Sequence, residues 1–339
     1  MKALLIEANG KTGLHDVPDQ EPGDGEVLIG IRHVGLCGSD LNTFRGLNPL
    51  VELPRIPGHE IGGEILATGA GVPAGLRPGM AVTVLPYTSC GRCASCRKGR
   101  TNACRYNRTL GVQQDGALKE RLVVPHDKVV PVDTIAPRHL ALIEPLSVGF
   151  HAVERGRIQP GDKVLVLGCG MIGVGALLGA VRRGAEVTVQ DIAADKLALA
   201  RELGAAHTID PNAEDPAAAV ARLTGDDGFD LVIEAVGVPE TFVQAVDAAG
   251  FAGRVVYIGY CKAEVGYRTQ LFNLKELDIM GSRNATLDDF AAVIGCLEEM
   301  GDRADRLVST TFPFAEADQA LPFWEANRAT ELKIMVEMS

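Results

Sequence analysis

The ten residues VLVLGCGMIG, 164–173, commit a large part of this chain to one architecture. A run of buried-type apolar residues stops at a glycine, three glycines follow at G-x-G-x-x-G spacing, and an apolar-periodic stretch, MIGVGALLGAVRRG, begins inside them. From Lys163 to about Gly281 the pattern repeats. Strands are expected at KVLVLG (163–168), EVTVQD (186–191), AHTID (206–210), FDLVIEAV (229–236), GRVVYIG (253–259) and LDIMGS (277–282), with helices such as AADKLALARELG between them. Near-continuous apolar strands belong to a parallel sheet covered on both faces. The segment therefore predicts a doubly wound α/β domain.

The glycines have separate tasks in such a domain. Gly168 makes the tight turn, Gly170 lets the backbone approach a pyrophosphate, and Gly173 lets helix and strand pack closely. The helix N-terminus offers unpaired N–H groups and the positive end of its dipole. Asp191 closes the next strand, eighteen residues past Gly173. A carboxylate there accepts hydrogen bonds from a ribose diol and repels a 2′-phosphate, which points to NAD over NADP. Capping the following helix is a second role open to the same side chain.

A second stretch, CGRCASCRKGRTNAC (90–104), holds four of the eight cysteines. Disulfides and a metal are the two uses of such a cluster. The N-terminus, MKALLIEANGKTG, lacks the apolar core and cleavage site of a signal peptide, and no apolar stretch reaches the ~18 residues that span a bilayer. The expected compartment is the cytoplasm, where disulfides are rare. Cys90, Cys93, Cys96 and Cys104 are thus expected to hold a tetrahedral zinc ion, with Arg92, Arg97, Lys98 and Arg100 offsetting the thiolate charge. An iron–sulfur cluster fits less well, because no proline follows the fourth cysteine. A closed four-thiolate site has no open position and is structural.

At 339 residues the chain has room for two domains. Before the α/β segment, EVLIGIRHVGLC (26–37), IGGEILATG (61–69), AVTVLP (81–86) and GALKERLVVP (116–125) read as strands of a β-rich lobe, followed by a helical pattern from Pro137 to Gly156. After Ser282 a helix (287–301) and a last strand (332–338) are too little for a domain and are expected to return to the first lobe. The expected division is 1–150 with 285–339, and 151–284. A net charge of −11 disfavours nucleic acid, and 5% aromatic residues give little base-stacking surface.

Three further segments carry ligand-type residues beside glycine or proline: GLCGSD (35–40), PGHEIGG (57–63) and IEPLSVG (143–149). Spacing alone does not bring them together. Together with the knuckle and the glycine loop, in this order, they resemble the zinc-dependent medium-chain dehydrogenases. EPLSVG is similar to the polyol branch typified by sorbitol dehydrogenase, and FRGLNPLVELPRIPGHE to bacterial sugar-acid members such as L-galactonate or L-gulonate 5-dehydrogenases. The resemblance spans the whole chain.

It implies a GroES-like β-rich catalytic domain joined to a Rossmann domain, with the substrate in the cleft between them. It implies one catalytic and one structural zinc per chain. Cys37 and His59 would be catalytic ligands, and Glu60 and Glu144 two acids of which either could be the third ligand. Ser39 would take the proton of a secondary alcohol whose pKa the metal lowers, and hydride would pass to NAD. Many relatives continue that relay with a histidine three residues after the serine. Here Asn42 stands there and carries no proton at neutral pH.

Met171, Ile172, Val236, Gly237 and Arg283 are expected to join the glycines and Asp191 at the dinucleotide. Arg45 or Arg283 is a candidate partner for a substrate carboxylate, with a structural ion pair as the alternative. His33, His126, His139 and His207 read as satisfied structural histidines, and His151 shares a helical face with Glu144. The expected function is NAD-dependent oxidation of a secondary hydroxyl in a polyol, sugar or sugar acid, without nucleic-acid or membrane partners, in a homotetramer or homodimer. A dehydrogenase of simple alcohols or threonine-like substrates is the nearest alternative. A zinc-free reductase would lack these ligands, and a nucleotide-sensing protein on the same fold would bind one zinc instead of two.

Overall fold

The computed structural model describes residues 1–338 and divides them into two compact units, residues 1–145 with the stretch from Val293 onward, and Leu146–Ala292. The first unit opens with a hairpin of β1 (Lys2–Ala8) and β2 (Lys11–Asp16). Next come β3 (Glu26–Gly35), α1 (Gly38–Phe44), β4 (Glu60–Thr68) and β5 (Ala81–Val84). A one-turn helix α2 (Ala94–Arg97) lies inside the cysteine knuckle. β6 (Arg121–Pro125), β7 (Val129–Pro131) and a 3-10 turn (Pro137–Leu142) lead into α3 (Ile143–Gly156). The strand expected over 116–125 forms only from Arg121, because the backbone of Gly116, Ala117 and Leu118 bonds to the 56–58 loop instead.

The second unit alternates β8 (Lys163–Leu167), α4 (Met171–Arg182), β9 (Glu186–Gln190), α5 (Ala194–Glu202), β10 (His207–Ile209), α6 (Pro216–Thr224), β11 (Phe229–Glu234), α7 (Pro239–Ala248), β12 (Ala249–Tyr257), α8 (Gln270–Leu274) and β13 (Asp278–Gly281). The sheet order is β10-β9-β8-β11-β12-β13, all parallel. Val164 to Leu167 are fully buried, as expected of a strand with helices on both faces. The chain reverses its direction of winding between β8 and β11. In open α/β sheets the ligand crevice lies outside the carboxyl ends of the strands at that switch point. Gly168 follows β8, and Val236 and Gly237 follow β11.

The chain then passes through α9 (Leu287–Met300), β14 (Thr310–Pro313), α10 (Ala317–Ala326) and β15 (Ile334–Glu337). β15 pairs antiparallel with β3 and parallel with β14, completing the order β14-β15-β3-β4-β5-β7, with β6 also on β3. The return of the last strand to the first lobe is therefore observed. Ile334 and Val336 join Val27, Ile29, Ile61, Ile65, Val82 and Val84 in one core. The N-terminal hairpin, β14 and α10 were not expected from the sequence pattern.

Candidate active site and metal centres

Three sequence segments converge within the first unit. Cys37 occupies the N-cap position of α1, and its backbone N–H donates to Asp40 Oδ2 at 2.9 Å. Asp40 is buried, and its Oδ1 accepts from Gly58 N at 3.3 Å, tying the cysteine turn to the turn that carries His59. Gly58 adopts φ +97°, and a Cβ there would lie 2.7 Å from Val34 Cγ1, so only glycine suits the turn. Glu60 then begins β4 and pairs across the ladder with Gly35. One ligand atom from each of Cys37, His59 and Glu60 lies within 4.8 Å of the others. Glu144 falls outside this triplet. It sits in the first turn of α3 and accepts a hydrogen bond from the buried Tyr87 hydroxyl.

The electrostatics are those of a compact charged cluster. Burial pushes the His59 imidazolium down, but the Cys37 thiol beside it, with Asp40 and Glu144, outweighs burial and holds its pKa well above the ordinary value. Burial raises the Glu60 carboxyl, against the pull of Lys333. Burial and then Glu144 push the Tyr87 phenol well up, so it stays a donor at neutral pH. His59 Nδ1 and Ser39 Oγ are both buried and have no hydrogen-bond partner. A buried polar atom without a partner is costly, and the sulfur, nitrogen and oxygen donors gathered here fit a zinc ion. Ser39 is the second residue of α1, whose N-cap position Cys37 holds.

At the knuckle all four thiols come within 4.8 Å of one another, with Cys93 Sγ 3.4 Å from Cys96 Sγ and 3.9 Å from Cys104 Sγ. The edge of a tetrahedron with ~2.3 Å Zn–S bonds is about 3.8 Å. None of these cysteines is in a disulfide. Backbone N–H groups of Cys90 and Tyr106 point at Cys104 Sγ, and that of Cys93 at Cys90 Sγ, each at 3.3 Å. Such donors favour thiolates. The Ser95 hydroxyl leads in lowering Cys93 to about 5, while burial leads in raising Cys96 to about 11.

In the second unit Gly168 adopts φ +93°, Gly170 is the N-cap of α4, and Met171 is buried with Ile172 half-buried beside it. A Cβ on Gly170 would meet nothing within 4 Å, whereas one on Gly173 would lie 1.9 Å from the Gly168 carbonyl oxygen. The loop is thus open on one side and closed on the other, a cradle for a diphosphate. Asp191 accepts from Cys169 N at 2.7 Å and from Ala193 N at 2.9 Å. It therefore braces the glycine loop, while Ala193 is the N-cap of α5. Glu234 Oε1 accepts from Val236 N and Gly237 N at 2.9 and 2.7 Å, fixing the second loop of the crevice. Arg283 is half-buried.

Several other sequence candidates have structural partners. Arg45 pairs with Glu325 at 3.3 Å, which is the ion-pair alternative. His139 meets Asp305 at 2.7 Å, and His151 Nδ1 meets the buried Asp289 at 2.8 Å. Cys169 is buried and its thiol is pushed up to about 12 by burial and by Asp191. Asp40, Tyr87 and Lys333 are site residues that the sequence reading does not single out. Asp40 could have been found from its place three residues after Cys37, the capping-box position.

The profile described as alcohol dehydrogenase GroES-like domain matches residues 23–134, and that described as zinc-binding dehydrogenase matches residues 172–299. The chain is 40% identical to L-galactonate-5-dehydrogenase of Escherichia coli K12 over 87% of this chain and 86% of the relative. It is 32% identical to a sorbitol dehydrogenase of Halalkalibacterium halodurans over 94% and 95%. An alcohol dehydrogenase of E. coli CFT073, solved in complex with NADH, superimposes with a TM-score of 0.91 at 31% identity, covering 99% of each chain.

Proposed function

This chain belongs to the zinc-binding alcohol dehydrogenase family, and from that premise we propose that it oxidises a secondary hydroxyl of a polyol, sugar or sugar acid, passing hydride to NAD. The observation that carries the proposal is the convergence of Cys37, His59 and Glu60, a sulfur, a nitrogen and an oxygen donor, within 4.8 Å of one another. Cys37, His59 and a carboxylate from Glu60 or Glu144 would hold zinc there, which when bound supplies Lewis acidity toward the substrate hydroxyl. Ser39 would receive the hydroxyl proton, a role supported by its buried, unpartnered Oγ. Asn42, half-buried on the same helix, does not relay it, so the proton leaves Ser39 by water or by a cofactor hydroxyl.

Residues 151–284 are proposed as the NAD-binding domain, and 1–150 with 285–339 as the zinc-binding one. Solved relatives carry NADH in one case and NADP in another, so the choice falls to this chain's own residues. Asp191, held by two backbone N–H groups, presents a fixed negative charge where a 2′-phosphate would have to sit, and favours NAD. Met171, Ile172, Val236, Gly237 and Arg283 complete the proposed dinucleotide set. The knuckle cysteines are proposed to hold a second, structural zinc. Sugar-acid and polyol relatives support the substrate class.

A dimer or tetramer in the cytoplasm is the proposed setting. β13 is an edge strand with exposed Ile279, a feature that favours pairing with a second copy. No helix among the described residues is long and apolar enough to cross a membrane. The test is metal analysis together with a panel of aldonates, polyols, aldoses and simple alcohols, followed by nicotinamide absorbance with NAD and with NADP. Two zinc per chain with turnover of an aldonate or polyol is expected. One zinc per chain and no turnover would overturn the proposal.

A further inference from the structure

Lys333 is a buried lysine on the threshold of β15, between buried Leu332 and Ile334. The register β15–β3–β4 sets it beside the site, since Met335 pairs with Gly35 and Gly35 with Glu60. Its ammonium donates to the Leu36 carbonyl at 2.9 Å and to Glu60 Oε1 and Oε2 at 2.6 and 2.5 Å. Those three contacts use all three of its protons. The lysine and glutamate side chains are 3% and 1% exposed, so the pair is closed to solvent. The seat for the carboxylate is built into the opposite strand as well. A Cβ on Gly35 would lie 2.0 Å from Glu60 Oε2, so the glycine leaves the space that the carboxylate occupies.

The same carboxylate is the oxygen member of the Cys37–His59–Glu60 triplet. It has two claimants, a metal at the cluster and the ammonium behind it, and the ammonium holds both oxygens. We infer that Lys333 is a positioning residue that restrains Glu60 from closing onto the metal and so keeps a coordination position available to substrate. The inference rests on the dehydrogenase reading of the site. A metal that gained Glu60 as a full ligand would be held more tightly and would be less open, whereas a purely structural lysine would leave a damaged, leakier site when removed.

The test compares the zinc-loaded wild type with Lys333→Met and with Lys333→Met/Glu60→Gln, which removes both charges and avoids stranding a buried carboxylate. Zinc release to a chromogenic chelator and the visible absorption of cobalt-substituted protein are the readouts. Partners that orient metal ligands shift metal affinity by roughly 10–100-fold when lost. Here the sign reverses. Lys333→Met should release one of its two zinc ions at least about tenfold more slowly, leave the knuckle zinc unchanged, alter the cobalt spectrum and lower turnover. The double variant should lose the slow release. Release from Lys333→Met as fast as wild type or faster, with an unaltered cobalt spectrum, overturns the inference, as does slow release that persists in the double variant. A wild type that binds zinc only at the knuckle overturns the proposed function itself, and this inference with it.

Discussion

The three glycines of the phosphate loop should fail in three different ways when each is replaced by alanine. Gly170 has φ −74° and ψ 179°, and its added Cβ meets nothing within 4 Å. Gly170→Ala should leave stability unchanged or raise it by about 0.4–1 kcal/mol, because alanine restricts the unfolded chain. Its methyl nevertheless stands on the open side of the loop. It should weaken dinucleotide binding by at least roughly tenfold, the loss of about one charge-assisted hydrogen bond. Gly173→Ala is the reverse case. Its Cβ would lie 1.9 Å from the Gly168 carbonyl oxygen, and a separation of 3.0 Å is the least that real Cβ atoms tolerate. Backbone must move by more than an ångström, so the cost belongs at the upper end of overpacking, about 3 kcal/mol. For a unit the size of Leu146–Ala292 that is a fall in Tm of about 6–12 °C. Gly168→Ala lies between them. Its φ of +93° costs about 1–2 kcal/mol for a side chain, while the Val236 methyl 2.7 Å away belongs to an exposed side chain that can turn aside. Calorimetry gives the stabilities and NADH fluorescence titration the affinities. Equal destabilisation by Gly170→Ala and Gly173→Ala, or wild-type NADH affinity in Gly170→Ala, would refute the reasoning.

Tyr87→Phe removes the hydroxyl donated to the Glu144 carboxylate in a buried setting, and should cost about 1–3 kcal/mol by chemical denaturation and lower zinc occupancy; unchanged values for both would count against a role in holding Glu144. Asp191→Asn loses the fixed charge and sets an amide donor against a backbone donor, so KM for NAD should rise roughly tenfold while KM for NADP falls, as read by steady-state kinetics. Arg138, then His139, lowers the Asp305 carboxyl to about 2. Its folded pKa lies below the unfolded value of about 3.9, so its contribution is present above about pH 4 and is lost as pH falls toward 2. The stability difference between wild type and Asp305→Asn should close across that window, and a difference independent of pH there would exclude the ion pair as its source.

How much of this was legible in the sequence depends on the distance over which each signal acts. The second unit was readable because its information is local. Each strand is an apolar run long enough to mark itself, and the loop after β8 announces its turn, its approach and its packing within six residues. The knuckle was readable for the same reason, since its four ligands lie within fifteen residues. The hairpin of β1 and β2 had a local signal too. Asn9-Gly10 between two short strands is a strong hairpin turn, and Gly10 takes φ +73° as such a turn requires. In α10 the signal is contradicted locally: Pro322 lies inside the helix and reads as a breaker, yet Ala317, Ala320 and Leu321 are buried in the core and tertiary packing overrides it.

The site divides along the same line. Cys37, His59, Glu60 and Glu144 are visible as residue types beside glycine or proline, but the convergence of the first three follows from sheet register and tertiary contacts, which no spacing encodes. Lys333 is the extreme case. It stands 273 residues from Glu60, just before a strand too short to show alternation, and as a lone lysine in LKIMVEM it looks like an exposed position of an edge. Only the pairing of β15 with β3, and of β3 with β4, turns it inward onto the carboxylate. A buried lysine costs several kcal/mol to desolvate unless it is paired. Once the register is fixed, the chain must therefore supply an acid at that place, and Glu60 is the acid it supplies. The same register that closes the sheet thus decides which of the two glutamates is already engaged before any metal arrives. Glu144 is held instead by the Tyr87 hydroxyl, on the far side of the sequence from that register.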